Sequence, residues 1–155
     1  MKIGISENNA KKVAMELSKL LADEFVLYTK TKQAHWNVEG PDFYGKHKLF
    51  DELAIQLASI IDLVAERIRI LNFAAPATLK SFLELTHLTE DNSDTKNSKY
   101  FIEELLSDHE VIILQLRGNI ESFGNESEDL GTSDFITSLM QEHEKIAWLL
   151  RAHLK

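Results

Sequence analysis

The chain has no cysteine among its 155 residues. That excludes a disulfide framework, a zinc-thiolate site and thiol catalysis. Proline and glycine are scarce, at 2 and 6 residues, too few for the frequent turns of a sandwich or barrel. No run of about 18 apolar residues occurs, so no membrane-spanning helix is expected. Lys2 is followed by no apolar segment of the kind that marks a secretory signal. Basic charge is also in deficit. Against 25 Asp and Glu stand 17 Lys and Arg, a formal net charge of −8, which opposes general nucleic-acid binding because such binding displaces counterions with basic surface. The expectation is one soluble, cytoplasmic domain over residues 1–155, long enough for one good core.

What the sequence does have is helical period. Ser6 is placed to cap a first long helix. Its apolar stripe runs through Val13, Leu17, Leu20, Leu21, Phe25 and Tyr28 at spacings of three and four, and His35 continues it. Gly40-Pro41 stops that helix and permits a new one. The second is predicted over 42–71, with Phe50, Leu53, Leu57, Ile60, Val64, Ile68 and Leu71 inside. Residues 72–97 break the period: Asn72 ends the helix, Thr78 caps a short helix through Leu85, and Thr89 to Ser98 is a polar loop. That connection is longer than an antiparallel hairpin needs. A third long helix is predicted over 99–123 and an acidic turn over 124–131. Thr132 or Ser133 then caps a fourth long helix running to His153. The pattern is all-α: a ferritin-like four-helix bundle with a short extra helix in the long crossover between the second and third long helices.

The chemistry concentrates between His35 and Glu66. Imidazoles and carboxylates without sulfur suit zinc, manganese or iron. Helix geometry then divides the cluster. Counting 100° per residue from His47, Asp51 falls near 40°, Asp62 near 60° and Glu66 near 100°, whereas the apolar stripe falls at roughly 220–300°. These side chains therefore turn away from their own core. His47 and Asp62 are also about 22 Å apart along one helix, too far to share an ion. Asp62 and Glu66, at i and i+4, can share one. A second copy of the helix, antiparallel across a two-fold axis near residues 54–57, would bring His47 of one chain opposite Asp62 and Glu66 of the other. Ala54, Ile55, Ala58 and Ser59 lie on that outward face, small or apolar, and would let two helices approach.

The run His35-Trp36-Asn37-Val38, Gly40-Pro41, Phe43, His47 and Asp51, followed by Asp62-Leu63-Val64-Ala65-Glu66-Arg67, resembles the Dps family, the DNA-binding proteins from starved cells, also called mini-ferritins. The resemblance implies a hollow dodecamer that oxidises Fe(II), commonly with hydrogen peroxide, and stores the ferric mineral inside. It places iron at two-fold interfaces. His35 and His47 would come from one subunit and Asp62 and Glu66 from its partner, with Asp51 nearby as a further ligand. Lys48 stands where relatives often carry an acid that nucleates mineral, which leaves Asp51 and Glu52 for that role. The acidic turn corresponds to an iron-access pore at a three-fold axis, with Asp134 the best match and Glu128 and Asp129 nearby. Lysine-rich N-terminal tails carry DNA binding in some relatives. Here Lys2 alone precedes Lys11 and Lys12, so DNA binding is expected to be weak or absent. The alternative reading is a DNA-compacting structural protein with little iron chemistry. No organic cofactor is expected.

Other candidates read as structure. His109 and His143 sit on apolar stripes and are assigned to core or interface packing. Glu84 and His87 match the Glu-x-x-His pattern of di-iron bundles, but they lie in the crossover and lack a counterpart in the last helix. Trp36 taken alone reads as packing; beside the ligand cluster it would instead shield the site or intercept radicals.

Overall fold

The computed structural model describes residues 3–90 and 97–155. Its elements are α1 (Glu7–Asn37), α2 (Phe43–Ile70), α3 (Leu79–Leu85), α4 (Ser98–Glu121), a π-helical turn (Ser122–Glu126) and α5 (Leu130–Ala152). Among the described residues there is no strand, only an isolated bridge between Glu39 and Asn97. The expected polar loop falls largely on 91–96, outside the described residues.

The helix boundaries follow from local chemistry. Ser6 Oγ accepts from the Asn9 amide at 3.1 Å and starts α1. Gly40, at φ +128°, takes a backbone conformation that residues with a Cβ resist; it turns the chain before Pro41 and α2. Thr78 Oγ1 accepts from the Ser81 amide at 3.1 Å and caps α3, as predicted. Asn97 caps α4 through the Tyr100 amide at 2.9 Å. The last helix departs from expectation. Its cap is Asp129, whose Oδ1 accepts from the Thr132 amide at 2.9 Å. The helix thus begins at Leu130, ahead of Thr132 and Ser133. An ionised carboxylate on the first-turn amides also meets the positive end of the helix dipole, which a hydroxyl cannot match.

The core lies inside the bundle. Leu17, Leu21 and Leu27 of α1, Phe50, Leu57 and Ile68 of α2, Ile102, Ile112 and Leu116 of α4, and Ile136 and Leu150 of α5 are all buried. Each contributes about 1.5–3 kcal/mol through loss of apolar surface to water. The whole predicted stripe of α2, from Phe50 to Leu71, is buried. The crossover helix is held by Phe82, whose ring stacks on Phe25 of α1 with centroids 4.4 Å apart. Its end is pinned by Asp23, fully buried on α1, which accepts from the Thr86 hydroxyl at 2.7 Å and the His87 amide at 2.6 Å. No helix among the described residues is long and apolar enough to cross a membrane.

Candidate metal centre

The end of α1 and the start of α2 bring two imidazoles face to face. The His35 and His47 rings stack with centroids 4.0 Å apart and 21° between planes. Phe43, one turn before His47, also stacks on the His47 ring, with centroids 5.1 Å apart. His35 Nδ1 lies 2.8 Å from the His47 carbonyl, and His47 Nδ1 lies 2.8 Å from the His35 carbonyl. A carbonyl oxygen only accepts, so both Nδ1 atoms carry protons. In the neutral rings each Nε2 is then a bare lone pair, the form that ligates a metal.

A carboxylate and an ammonium stand at this pair. Asp51 Oδ1 lies 3.7 Å from His35 Nε2 and 3.2 Å from Lys32 Nζ. Lys32 is one turn before His35 on α1, and its ammonium is also 5.7 Å from the centre of the Trp36 ring. A cation approaching Asp51 must therefore compete with Lys32. Trp36 itself is 70% exposed.

Asp62 and Glu66 lie further along α2, both exposed. Among the described residues neither carboxylate has a hydrogen-bond or ion-pair partner. They share the outward side of the helix with Ile55, Ala58 and Ser59, which are exposed. Ala54 is not part of that surface as expected: it is buried, because its place on the helix borders the apolar stripe of Leu53 and Leu57. Among the described residues, no three His, Asp or Glu side chains of the single chain converge on a point able to hold an ion.

A family model for the ferritin-like domain matches residues 15–155. The chain is 39% identical over 153 residues to an uncharacterized low temperature-induced protein of Nostoc sp., a match covering 99% of this chain and 86% of that one. It is 37% identical over 144 residues to DNA protection during starvation protein 2 of Bacillus anthracis, covering 93% and 97%. The crystal structure of a Dps protein from Vibrio cholerae O1, described as a member of a broad superfamily of ferritin-like diiron-carboxylate proteins, matches with a TM-score of 0.94 at 30% identity, covering 100% and 96%. The chain belongs to the Dps family of ferritin-like proteins.

In this Dps chain the acidic turn divides. Glu128, at φ +56°, and Asp134 are exposed. Asp129 is a correction to the expected set of pore acids. It is only 2% exposed, and its carboxylate is engaged by the Thr132 amide, the Thr132 hydroxyl at 2.5 Å and Arg67 Nη2 at 3.3 Å. Arg67 Nε also donates to Thr132 Oγ1 at 2.9 Å, which ties the Glu66 end of α2 to the start of α5. Gly131 makes room for this contact, since a Cβ there would sit 2.9 Å from Arg67 Nη2. Glu52 is exposed on α2. Lys48 lies over the Tyr44 ring at 4.8 Å. Glu84 faces Lys80 at 3.8 Å, while the His87 ring turns to Asp23 at 3.0 Å, so the two point to separate partners.

Sequence reasoning missed Lys32. Its spacing of three from His35 puts both on one face of α1, and that was the available signal. It also missed Glu24, which lies on the apolar stripe of α1 three residues after Leu21 and four after Leu20.

Proposed function

We propose that the protein is an iron-oxidising and iron-storing cage, a homo-oligomer, dodecameric as the family resemblance implies, with Fe(II) as substrate. The observation that supports this best is the reciprocal locking of His35 and His47, which fixes both tautomers with Nε2 bare. Asp51 lies beside this pair. The unpaired Asp62 and Glu66 lie too far along the same helix to reach it, and an antiparallel partner helix would supply them. Imidazole nitrogen holds Fe(II), and carboxylate oxygen favours Fe(III), so such a mixed site accepts both states. Two Fe(II) ions give up two electrons; hydrogen peroxide takes them with two protons to yield two waters. Asp51 and Glu52 then serve mineral nucleation, and Glu128 and Asp134 line the iron-access pore. The protein works in the cytoplasm without an organic cofactor.

The test is one titration: Fe(II) added anaerobically, then hydrogen peroxide, following ferric absorbance together with the mass of the assembly. Protein-dependent acceleration in a multimer is the expected result. A monomer, or oxidation no faster than in buffer, overturns the reading. The shared site has its own test. Asp62→Ala and His47→Ala chains, each impaired alone, should regain part of the activity when co-assembled, because some interfaces then carry two intact half-sites. No recovery in mixed assemblies would refute the two-chain site.

The second reading is DNA compaction, which the name of the Bacillus anthracis relative, a DNA protection protein, favours. A net charge of −8 opposes it. Retarded DNA with a steep salt dependence in a gel-shift would revive it.

A further inference from the structure

The centre of the bundle holds three ionisable side chains that the iron site does not use. Glu24 Oε1 lies 2.8 Å from His143 Nε2, and His143 Nδ1 lies 2.8 Å from His109 Nδ1. Glu24 and His143 are completely buried and His109 is 1% exposed. The atoms at the two ends of this chain, Glu24 Oε2 and His109 Nε2, have no hydrogen-bond partner. The three do not form a ligand shell. Glu24 sits on the far nitrogen of His143, while the two facing nitrogens are at hydrogen-bond distance. It is a linear relay.

Its protons can be counted. Only one proton fits between the facing Nδ1 atoms. With Glu24 ionised and His143 Nε2–H donating to it, the relay carries a charge of −1. The next proton has one acceptor on the imidazoles, His109 Nε2, which is buried with no partner, so the N–H it forms would have nothing to donate to. A buried polar group without a hydrogen bond is costly, and more so on a ring that also carries charge.

Neighbouring charges do not offset this. On α1, Asp23 is committed to Thr86 and His87, and Lys30 to Asp108 at 2.5 Å and Glu104 at 3.6 Å. On α4, Glu104 and Asp108 are the partners of Lys30. On α5, Glu142 and Glu144 turn outward to Gln56 and Arg117. The buried residues of α2 are all apolar. Burial, followed by the neighbouring His143, holds the His109 imidazole well below the ordinary histidine range. The relay also occupies a particular seam. Glu24 belongs to the α1–α2 pair of helices and both histidines to the α4–α5 pair.

We propose that the Glu24–His143–His109 relay is an acid-sensitive latch, which joins the two helix pairs at neutral pH and loosens as it is protonated in mild acid. The sign follows from linkage. In the unfolded chain His109 takes a proton near the ordinary value of about 6.5. In the fold it resists. The unfolded state therefore binds more protons as pH falls through that value, and stability present above it is lost below it.

The test uses the full-length assembly. Stability is measured from pH 7.5 to 5 for the wild type and for His109→Asn, which keeps a polar atom near the Nδ1 position. The slope of wild-type stability against pH should exceed that of His109→Asn by up to about one proton. Equal slopes for wild type and His109→Asn overturn the latch. Should His109→Asn fail to fold, the wild type alone decides. Exchange of the histidine C2 hydrogen, read residue by residue, should give His109 a midpoint below the ordinary histidine value. Amide protection around residues 24, 109 and 143, corrected for intrinsic rates, should fall between pH 7 and 5. A His109 midpoint at the ordinary value, or protection that does not change, refutes the proposal.

Discussion

His35 and His47 fix each other's tautomer, each ring donating its Nδ1 proton to the other's backbone carbonyl at 2.8 Å. The arrangement needs no third residue. It couples the end of α1 to the first turn of α2, and it makes each histidine the orienting partner of the other. Outer partners of this kind are usually carbonyls or carboxylates from elsewhere in a fold; here the two candidate ligands supply them mutually.

The substitutions His35→Ala and His47→Ala should therefore act separately. Each removes one nitrogen ligand, but the acceptor that orients the remaining ring is a backbone carbonyl, which alanine keeps. Each single variant should retain weakened metal binding through the histidine still held in its tautomer, and the double change should weaken binding further. Anaerobic Co(II) or Fe(II) titrations of the three variants check this, and a double variant that binds no more weakly than the singles would contradict orientation through the main chain.

Lys32→Gln should act in the opposite direction. Lys32 and Asp51 are 3.2 Å apart with side-chain exposures of 20% and 46%. A partly solvated bridge of this kind is worth at most about 1 kcal/mol, so releasing Asp51 should tighten cation binding by no more than about fivefold. A competitive Co(II) titration measures it. Unchanged affinity and stoichiometry would mean that Asp51 takes no part in holding the ion.

The bundle was legible because its signal is periodic. The α2 stripe from Phe50 to Leu71 is buried throughout, and the caps at Ser6 and Thr78 are where short polar side chains precede apolar runs. Two things were not legible. Asp129 looks, in sequence, like one more acid of an exposed turn, and only the approach of Arg67 from α2 reveals why it is buried. Glu24, His109 and His143 each sit on an apolar stripe of a different helix. A single chemistry-bearing residue on a stripe is usually solitary packing, and their meeting depends on helix register across the bundle, which no local pattern encodes. The His35 and His47 pairing was half legible: spacing nominates the residues, but the reciprocal carbonyl bonds follow from backbone geometry at the α1–α2 turn.

Asp129 and Asp134 should separate stability from iron uptake. Asp129→Ala removes a helix cap worth about 1 kcal/mol and leaves Arg67 short of its anion, adding roughly 1–3 kcal/mol. Thermal unfolding should shift down accordingly. Asp134 is exposed on the first turns of α5, and Asp134→Ala should change stability by no more than about 0.5 kcal/mol while slowing Fe(II) uptake. Gly131→Ala should resemble a milder Asp129→Ala, because the new Cβ displaces Arg67 Nη2. Equal iron-uptake rates for Asp134→Ala and wild type would remove Asp134 from the pore.

Lys30 and Asp108 present a buried pair whose worth depends on pH. Their side chains are 8% and 10% exposed and 2.5 Å apart, and Lys30 also donates to the Thr89 carbonyl at 3.0 Å. Burial pushes the Asp108 carboxyl above its ordinary value of 3.8, with the Lys30 bond and charge opposing the shift. A carboxyl raised in this way is ionised in the fold against its own preference, so its contribution to stability is greatest below its unfolded pKa and is lost as pH rises through the folded one. At neutral pH the pair is consequently poor value as a stabiliser but costly to break. Lys30→Met alone should destabilise by about 3–5 kcal/mol, because it leaves a buried carboxylate without its cation; Asp108→Asn should cost less, because Glu104 at 3.6 Å and the Thr89 carbonyl still face the Lys30 ammonium. The Lys30→Met, Asp108→Leu double change removes both charges. It should be roughly neutral, offset by the loss of about 1 kcal/mol for the Thr89 hydrogen bond. The deficit of Asp108→Asn relative to wild type should also grow on acidification, because the fold takes up the Asp108 proton before the unfolded chain does, and that divergence should begin at higher pH than for an unshifted carboxyl. Denaturant unfolding between pH 7 and 4 tests both statements. A double variant as unstable as the singles, or a deficit that does not change with pH, would show that the pair stabilises the bundle by packing rather than by charge.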